Sequence, residues 1–150
     1  IDYIRNLADA YAIYNVKRFD LRGKKLLSYT EKAFLSDLSF RHALFGYRDG
    51  AISGFLENIV CLELMRRNYS VFVGESGNRE IDFIAEKGDE TVYFQVAYHL
   101  ASSDTIDREF SALESIRDNY PKIVLSMDRE FPSRGGIRHA YLPDFLVEDW

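Results

Sequence analysis

The sequence predicts a mixed α/β fold, because two amphipathic helices enclose a set of extended segments. Apolar residues follow a helical stripe through residues 51–68. A second helix begins at Asp104 or Thr105, and Pro121 ends it. The extended runs, rich in β-branched and aromatic residues, are residues 69–74, 80–86, 91–98, 122–127 and 137–142. The resulting order, α-β-β-β-α-β, is typical of layered α/β architectures.

The N-terminal third is predicted to be a separate, smaller unit. Residues 1–12 form a short amphipathic helix, and two extended runs follow it around a turn at residues 20–23. Together they resemble the last helix and wing of a winged-helix module. The predicted organisation is a partial winged-helix-like segment (1–29), a connecting helix (30–49) and the main α/β domain (50–150).

The composition is that of a folded protein with an acidic balance. Of the 150 residues, 47% are hydrophobic and 15% aromatic, which argues against disorder. The net charge of -5 weighs against non-specific nucleic-acid binding, which depends on Lys and Arg. The basic residues nevertheless gather near the first turn. This basic stretch consists of Lys17, Arg18, Arg22, Lys24 and Lys25. It is either a solvated hairpin or a contact surface for nucleic acid or an acidic partner.

Cysteine and histidine usage narrows the possible chemistry. The single cysteine, Cys61, excludes an internal disulfide and a thiolate zinc cluster. His42, His99 and His139 are not spaced as metal ligands. Ser126 has no recognisable His–acid partner in the sequence, so nucleophilic catalysis lacks support. These features, with no apolar run long enough to span a membrane, favour a cytoplasmic protein without membrane insertion.

The second and third strands of the main domain carry the polar residues of interest. A two-residue turn at residues 88–89 places Asp82 opposite Gln95 and Glu80 opposite Ala97. By strand alternation Glu80 and Asp82 share a face with residue 84, whereas residues 81, 83 and 85 point away. Glu57 lies on an otherwise apolar helix face and needs a partner, since burial of an unpaired charge is costly. Asp82, Gln95 or a cation are the candidates.

These segments together resemble a known superfamily. The matching stretches are GFLEN at 54–58, EIDFI at 80–84, FQV at 94–96, RE at 108–109, YPKIVLS at 120–126 and the earlier segment 24–46. In order and spacing they resemble the PD-(D/E)xK, restriction-endonuclease-like superfamily. More narrowly they are similar to the uncharacterised domain that follows an AAA-type, P-loop ATPase module. The resemblance implies an upstream ATPase domain as partner, with ATP bound there. No phosphate-binding loop occurs in this chain.

The resemblance also implies a site, and it implies that the site is degenerate. Asp82 falls on the metal-binding Asp, with Gln95 in place of the second acid and Ala97 in place of the lysine. Glu57 falls on a helix acid that some members use, so Asp82 and Glu57 are the candidate ligands for Mg²⁺. Loss of one preorganised charged group typically lowers the catalytic rate by about 10²–10³. Since Gln95 and Ala97 replace two such groups, the resemblance implies that nuclease activity is lost. A basic group from elsewhere, such as Arg108 or Lys122, is the alternative source of the amine.

Three functions follow from these expectations. The favoured one is a non-catalytic recognition or regulatory domain for nucleic acid or a partner protein, without a cofactor of its own. In this interpretation Glu57, Asp82 and Gln95 form a polar cluster whose hydrogen bonds are made within the protein. The alternative is an active Mg²⁺-dependent nuclease acting on DNA or RNA. The third is a pure protein-interaction module.

Overall fold

The structure, a computed structural model, describes residues 2–46 and 49–148. Ile1, the expected start of the first helix, and part of the expected break between Gly46 and Gly50 lie outside these residues. The helices of the described chain are α1 (Asp2–Asp9), α2 (Ser39–Phe45), α3 (Ile52–Arg66), α4 (Ser103–Glu114) and α5 (Leu142–Val147). Its strands are β1 (Ile13–Asp20), β2 (Lys25–Leu35), β3 (Ser70–Ser76), β4 (Arg79–Lys87), β5 (Glu90–Val96), β6 (Lys122–Ser126) and β7 (Arg138–Tyr141). The mixed α/β fold and the order α-β-β-β-α-β from α3 to β6 are confirmed.

The described strands form one mixed seven-stranded sheet in the order β2-β1-β3-β4-β5-β6-β7. The pairs β1–β2, β3–β4 and β4–β5 are antiparallel, whereas β1–β3, β5–β6 and β6–β7 are parallel. The carboxyl ends of β5, β6 and β7 therefore meet at one edge of the sheet, which is where open α/β sheets commonly place their ligand sites.

Helices cover both faces of this sheet. On one face α3 and α5 pack against buried residues of β3 to β6, with Val60, Leu64 and Phe145 in the contact. On the other face α4 packs Phe110 and Leu113 into a second apolar cluster. None of the helices in the described ranges combines the length and apolarity that a membrane span requires.

Residues 30–35 are strand and not helix, so the predicted connecting helix is wrong over its first half. These residues complete β2, which pairs with β1 from Ile13–Leu35 to Asp20–Lys25. Phe34 is buried at 3% exposure on this strand. Pairing with β1 overrides the local helical pattern, since tertiary context outweighs propensity. Helical structure begins only at Ser39.

The β1–β2 hairpin also differs from the winged-helix-like segment that was expected. β1 pairs in parallel with β3 through Arg18–Val73, Phe19–Gly74 and Asp20–Glu75. The hairpin is thus an edge of the main sheet. Asn58 of α3 fastens it in place, because its side chain accepts a hydrogen bond from Leu35 N and donates one to Leu35 O, both at 2.8 Å.

A β-bulge in β4 changes the expected direction of one side chain. The β3–β4 register shifts between the pairs Phe72–Ile84 and Gly74–Ile81. Two residues of β4, at 82 and 83, consequently lie against one residue of β3. Ile81 therefore joins Ile84 in the cluster beneath α4, although alternation had placed them on opposite faces. A bulge bends its strand and redirects side chains in this way.

The start of α4 lies slightly before the predicted position. Ser102 caps the helix, and its Oγ accepts a hydrogen bond from Thr105 N at 3.2 Å. Neither Asp104 nor Thr105 is the cap residue, although both lie in the first turn.

Candidate functional site

A polar cleft of about 560 Å³ lies where α3 and α4 flank the β4–β5 pair. We call it the acid cleft, after its lining residues Glu57, Glu80, Asp82, Gln95 and Glu109. Glu57 comes from α3 and Glu109 from α4, while the other three come from the two strands. The chain thus gathers four carboxyl groups and one amide in a single place.

Asp82 and Gln95 are neighbours, as the strand register predicted. The two-residue turn forms as expected, with Lys87 paired to Glu90 and Gly88 in the left-handed region at a φ of 59°. Asp82 Oδ2 accepts a hydrogen bond from Val96 N at 2.8 Å, and Gln95 Oε1 accepts one from Asp82 N at 3.3 Å. Both side chains are buried. The pair therefore binds backbone groups of the opposite strand.

Lys32 is the partner of Glu57, and sequence reasoning missed it. Lys32 Nζ lies 2.8 Å from Glu57 Oε2 and 3.0 Å from Glu80 Oε1. Burial opposes the charged amine, but the hydrogen bonds to the two glutamates outweigh this and raise the pKa of Lys32. The ammonium group therefore bridges two acids of the cleft. The sequence signal was the spacing of two residues between Lys32 and Phe34, which puts both side chains on the inner face of a strand. Assignment of this segment as a helix hides that signal.

Arg18 completes the ionic network at the same edge of the sheet. Its Nη1 lies 2.6 Å from Glu80 Oε2 and 3.2 Å from Glu75 Oε1. Burial opposes ionisation of Glu80, yet the contacts with Arg18 and Lys32 hold its pKa below the ordinary value. Both cations come from the N-terminal hairpin.

The carboxyl group of Asp82 has a strongly shifted pKa. Burial, followed by the nearby negative charge of Glu57, raises its pKa from 3.8 to about 8. The hydrogen bond from Val96 N and the charge of Lys32 act in the opposite direction, and Glu109 adds to the increase. The folded environment therefore favours the neutral form of the Asp82 carboxyl group near pH 7.

The other positions implied by the resemblance contribute little chemistry to the cleft. Ala97 is buried at 4% exposure in the apolar cluster beneath α4. Lys122 begins β6 and binds Asp118 at 2.9 Å, so it does not supply the missing amine. Arg108 does line the cleft, where it binds the neighbouring Glu109 at 2.7 Å.

The donor atoms of the cleft do not fit a resident Mg²⁺ ion as they are arranged. A hard dication takes several anionic or carbonyl oxygens. Across residues 2–46 and 49–148, no group of three or more His, Cys, Asp or Glu side chains is placed to hold a metal ion. Asp82 and Glu57, the expected ligands, are engaged by a backbone amide and by Lys32 instead.

A second polar cluster lies at the carboxyl end of β6, and it corrects the expectation that Ser126 has no histidine partner. Ser126 Oγ lies 2.9 Å from both His139 Nε2 and Asp128 Oδ2. Asp128 also binds Leu100 N and His99 Nδ1. Burial opposes its ionisation, but these hydrogen bonds prevail and lower the pKa of Asp128.

Hydrogen-bond counting argues against nucleophilic activation of Ser126. Ionised Asp128 only accepts, so the single hydroxyl proton of Ser126 goes to Asp128. His139 Nε2 must then donate to Ser126, which is the reverse of what a general base does. The serine is also fully buried. The cluster is a satisfied structural network.

The residues of the basic stretch lie in three different places. Arg18 faces the acid cleft, as described above. Lys17 and Lys25 are exposed to solvent, whereas Arg22 and Lys24 line a different cleft near the carboxyl end of α4. The expected single contact surface is therefore not continuous.

Comparison with known proteins gives one curated relative. The chain is 38% identical over 147 residues to an uncharacterized protein of Haemophilus influenzae. The match covers 97% of this chain but 36% of the relative, so the chain spans about a third of that protein's length. No family model and no solved structure matches the chain.

Proposed function

We propose that this chain is a non-catalytic recognition or regulatory domain, built on a nuclease-like arrangement of α3, β3 to β5, α4 and β6. We also propose that it follows an AAA-type ATPase module in a longer cytoplasmic protein, whose ATP is bound outside this chain. A fold alone does not establish function, so the proposal depends on the chemistry of the acid cleft.

The observation that carries the proposal is the internal neutralisation of the cleft. One ammonium group, that of Lys32, holds both Glu57 and Glu80. The neutral form of Asp82 is favoured near pH 7, because burial and the charge of Glu57 raise its pKa to about 8. A dication that entered would have to displace an amine and also remove a proton. Such a cleft supports recognition better than metal-dependent cleavage.

One observation favours the alternative, an active Mg²⁺-dependent nuclease. Lys32 brings an amine to within 2.8 Å of Glu57 Oε2, in the same cleft as Asp82. Ala97 therefore need not be the source of the basic group. Gln95 still offers a neutral oxygen where a working site would hold a carboxylate, and that oxygen already accepts a backbone hydrogen bond.

A cleavage assay separates the two functions. The purified protein is incubated with Mg²⁺ or Mn²⁺ and with supercoiled, linear and single-stranded DNA and RNA. We expect no cleavage above that of the Asp82→Ala variant. Cleavage by the parent chain that disappears in Asp82→Ala overturns the proposal.

Thermal unfolding with added Mg²⁺ tests the same site without catalysis. A ligand that binds the folded state raises its midpoint. We expect equal, small shifts for the parent chain and Asp82→Asn. A rise in the parent that Asp82→Asn or Glu57→Gln removes would mean that a cation binds in the cleft.

The proposed attachment to an ATPase has a separate test. The Haemophilus relative is longer than this chain, which leaves room for another module. We expect the full reading frame to encode a G-x-x-x-x-G-K-[ST] loop upstream, and the full-length protein to hydrolyse ATP until its lysine is replaced. A full frame without such a loop contradicts the attachment.

A further inference from the structure

A second cleft, with a volume of about 890 Å³, lies on the α4 side of the sheet, away from the acid cleft. The β1–β2 turn, the β3–β4 turn, β5 and the segment after α4 form its walls. We call it the cationic cleft. Its charged and aromatic lining includes Arg22, Lys24, Arg117, Phe19, Tyr93 and Tyr120. Nothing in the proposed function above uses it.

Two acids of the cationic cleft are occupied by partners within the chain. Asp118 accepts a hydrogen bond from Tyr93 Oη at 2.7 Å and lies 2.9 Å from Lys122 Nζ. Glu114 lies 2.9 Å from Arg134 Nε. Their charges are therefore compensated locally.

The three cationic side chains of the cleft, unlike these acids, have no ion-pair partner among the described residues. Within residues 2–46 and 49–148, no acid forms an ion pair with the side chains of Arg22, Lys24 or Arg117. Glu86 is the acid of the lining that stays unpaired among these residues. The cleft thus carries an uncompensated positive charge inside a chain whose net charge is -5.

Two of the side chains lie against other parts of the chain. The guanidinium group of Arg22 lies next to Gly77 in the β3–β4 turn. A Cβ atom added at Gly77 would come within 2.8 Å of Arg22 Cζ. Gly77 has a φ of 67°, so the turn itself requires glycine. Tyr120 is 47% exposed, and its ring contacts the buried ring of Tyr93 with 6.3 Å between centroids. The contact with Tyr93 limits the motion of the Tyr120 ring, which therefore loses less entropy on binding.

The carboxyl end of α4 does not cancel this attraction. A helix end carries partial negative charge on its free carbonyl groups. Here Ser115 Oγ donates to Ala112 O at 2.6 Å, and Ile116 N donates to Leu113 O at 3.1 Å. These bonds satisfy part of the last turn and leave Arg117 to face the cleft.

We propose that the cationic cleft binds a small phosphate-bearing ligand with a planar ring, of the size and chemistry of a free nucleotide. The phosphate groups bind Arg22, Lys24 and Arg117, and the ring stacks on Tyr120. A small ligand is favoured over a nucleic-acid strand. Charges interact within about 8 Å at physiological salt, and the chain as a whole has a net charge of -5, which opposes binding of a long polyanion. Clefts of about 300–1,000 Å³ are typical of such ligands.

This inference deepens the proposed regulatory role by giving it a ligand, and its failure is distinguishable from failure of that role. The cleavage assay reports on Asp82 in the acid cleft. Ligand binding reports on Arg22 and Tyr120 in the cationic cleft. Either result can be negative while the other is positive.

Isothermal titration calorimetry with ADP, inorganic phosphate and a short oligothymidylate tests the inference. We expect ADP to bind more tightly than either of the other two. Arg22→Ala together with Arg117→Ala should weaken ADP binding by roughly tenfold or more. Tyr120→Ala should weaken it by about 5- to 150-fold, while Tyr120→Phe keeps the ring and the affinity.

The matched control is Lys17→Ala with Lys25→Ala, which removes two exposed cations outside the cleft. This variant should bind ADP as the parent does. Absence of ADP binding, or binding that the Arg22 and Arg117 changes leave intact, overturns the inference. Equal affinities for ADP and inorganic phosphate would contradict the proposed stacking of the ring on Tyr120. Tighter binding of the oligothymidylate would overturn the assignment to a free nucleotide.

Discussion

Replacement of Asp82 by asparagine is expected to change how the stability of this protein depends on pH. The asparagine keeps the size of the side chain and an oxygen that accepts the hydrogen bond from Val96 N. It removes the ability to ionise. The difference between the two proteins therefore isolates the titration of one buried carboxyl group.

The magnitude follows from the two pKa values of Asp82. The unfolded chain titrates near the ordinary value of 3.8, while the folded protein titrates at about 8. Between these values the folded state holds a proton that the unfolded state has released. The contribution of Asp82 is therefore complete below the lower value and is lost as the pH rises to the upper one. The slope is on the order of 1 kcal/mol per pH unit, so the change over two units is roughly 2–3 kcal/mol.

Urea unfolding of both proteins at about pH 5 and about pH 7 measures this slope. We expect the free energy of unfolding of the parent to fall by roughly 2–3 kcal/mol relative to Asp82→Asn over that interval. Asp118→Asn is the control. Burial opposes ionisation of Asp118, but its contacts with Tyr93 and Lys122 lower its pKa, so its contribution is lost only in acid, below this interval. Parallel curves for the parent and Asp82→Asn would refute the buried neutral acid, and with it the main support for a non-catalytic cleft.

Three further changes test individual contacts by urea unfolding, and an unchanged stability in any of them contradicts the contact concerned. Lys32→Met leaves Glu57 without its ammonium partner and should cost about 1–3 kcal/mol, of which added Glu57→Gln recovers part. Asn58→Ala removes both 2.8 Å hydrogen bonds to the end of β2 and should cost about 1–3 kcal/mol. Gly74→Ala places a Cβ 2.9 Å from Ile81 Cβ, and this overpacking should cost about 1–3 kcal/mol.

The position of Asp82 next to Gln95, at the centre of the acid cleft, could be predicted from the sequence because it depends on a local feature, the turn between β4 and β5. A two-residue turn sets the register of β4 and β5, and counting from Gly88 brings Asp82 to Gln95. The need of Glu57 for a partner was equally predictable from its apolar helix face. Its actual partner was not, since Lys32 lies on a strand whose pairing with β1 is a tertiary effect.

Two other features have no local signature. The bulge that turns Ile81 toward α4 depends on how β3 and β4 share the core. Ser126 and His139 meet because β6 and β7 pair in parallel, with Val124 opposite His139. The sequence distance between them gives no indication of this contact. Pairing of distant strands therefore accounts for most of what sequence reasoning missed.

The N-terminal hairpin determines where this protein can be divided for experiments. A fragment that starts at residue 50, the boundary favoured by the sequence, would lack β1 and β2 and leave β3 as an unprotected edge open to association with other chains. It would also lose Arg18 and Lys32, so Glu57 and Glu80 would repel each other. A shortened version that preserves native behaviour must therefore start no later than Ile13, and apparent metal binding by a shorter piece would be an artefact of truncation.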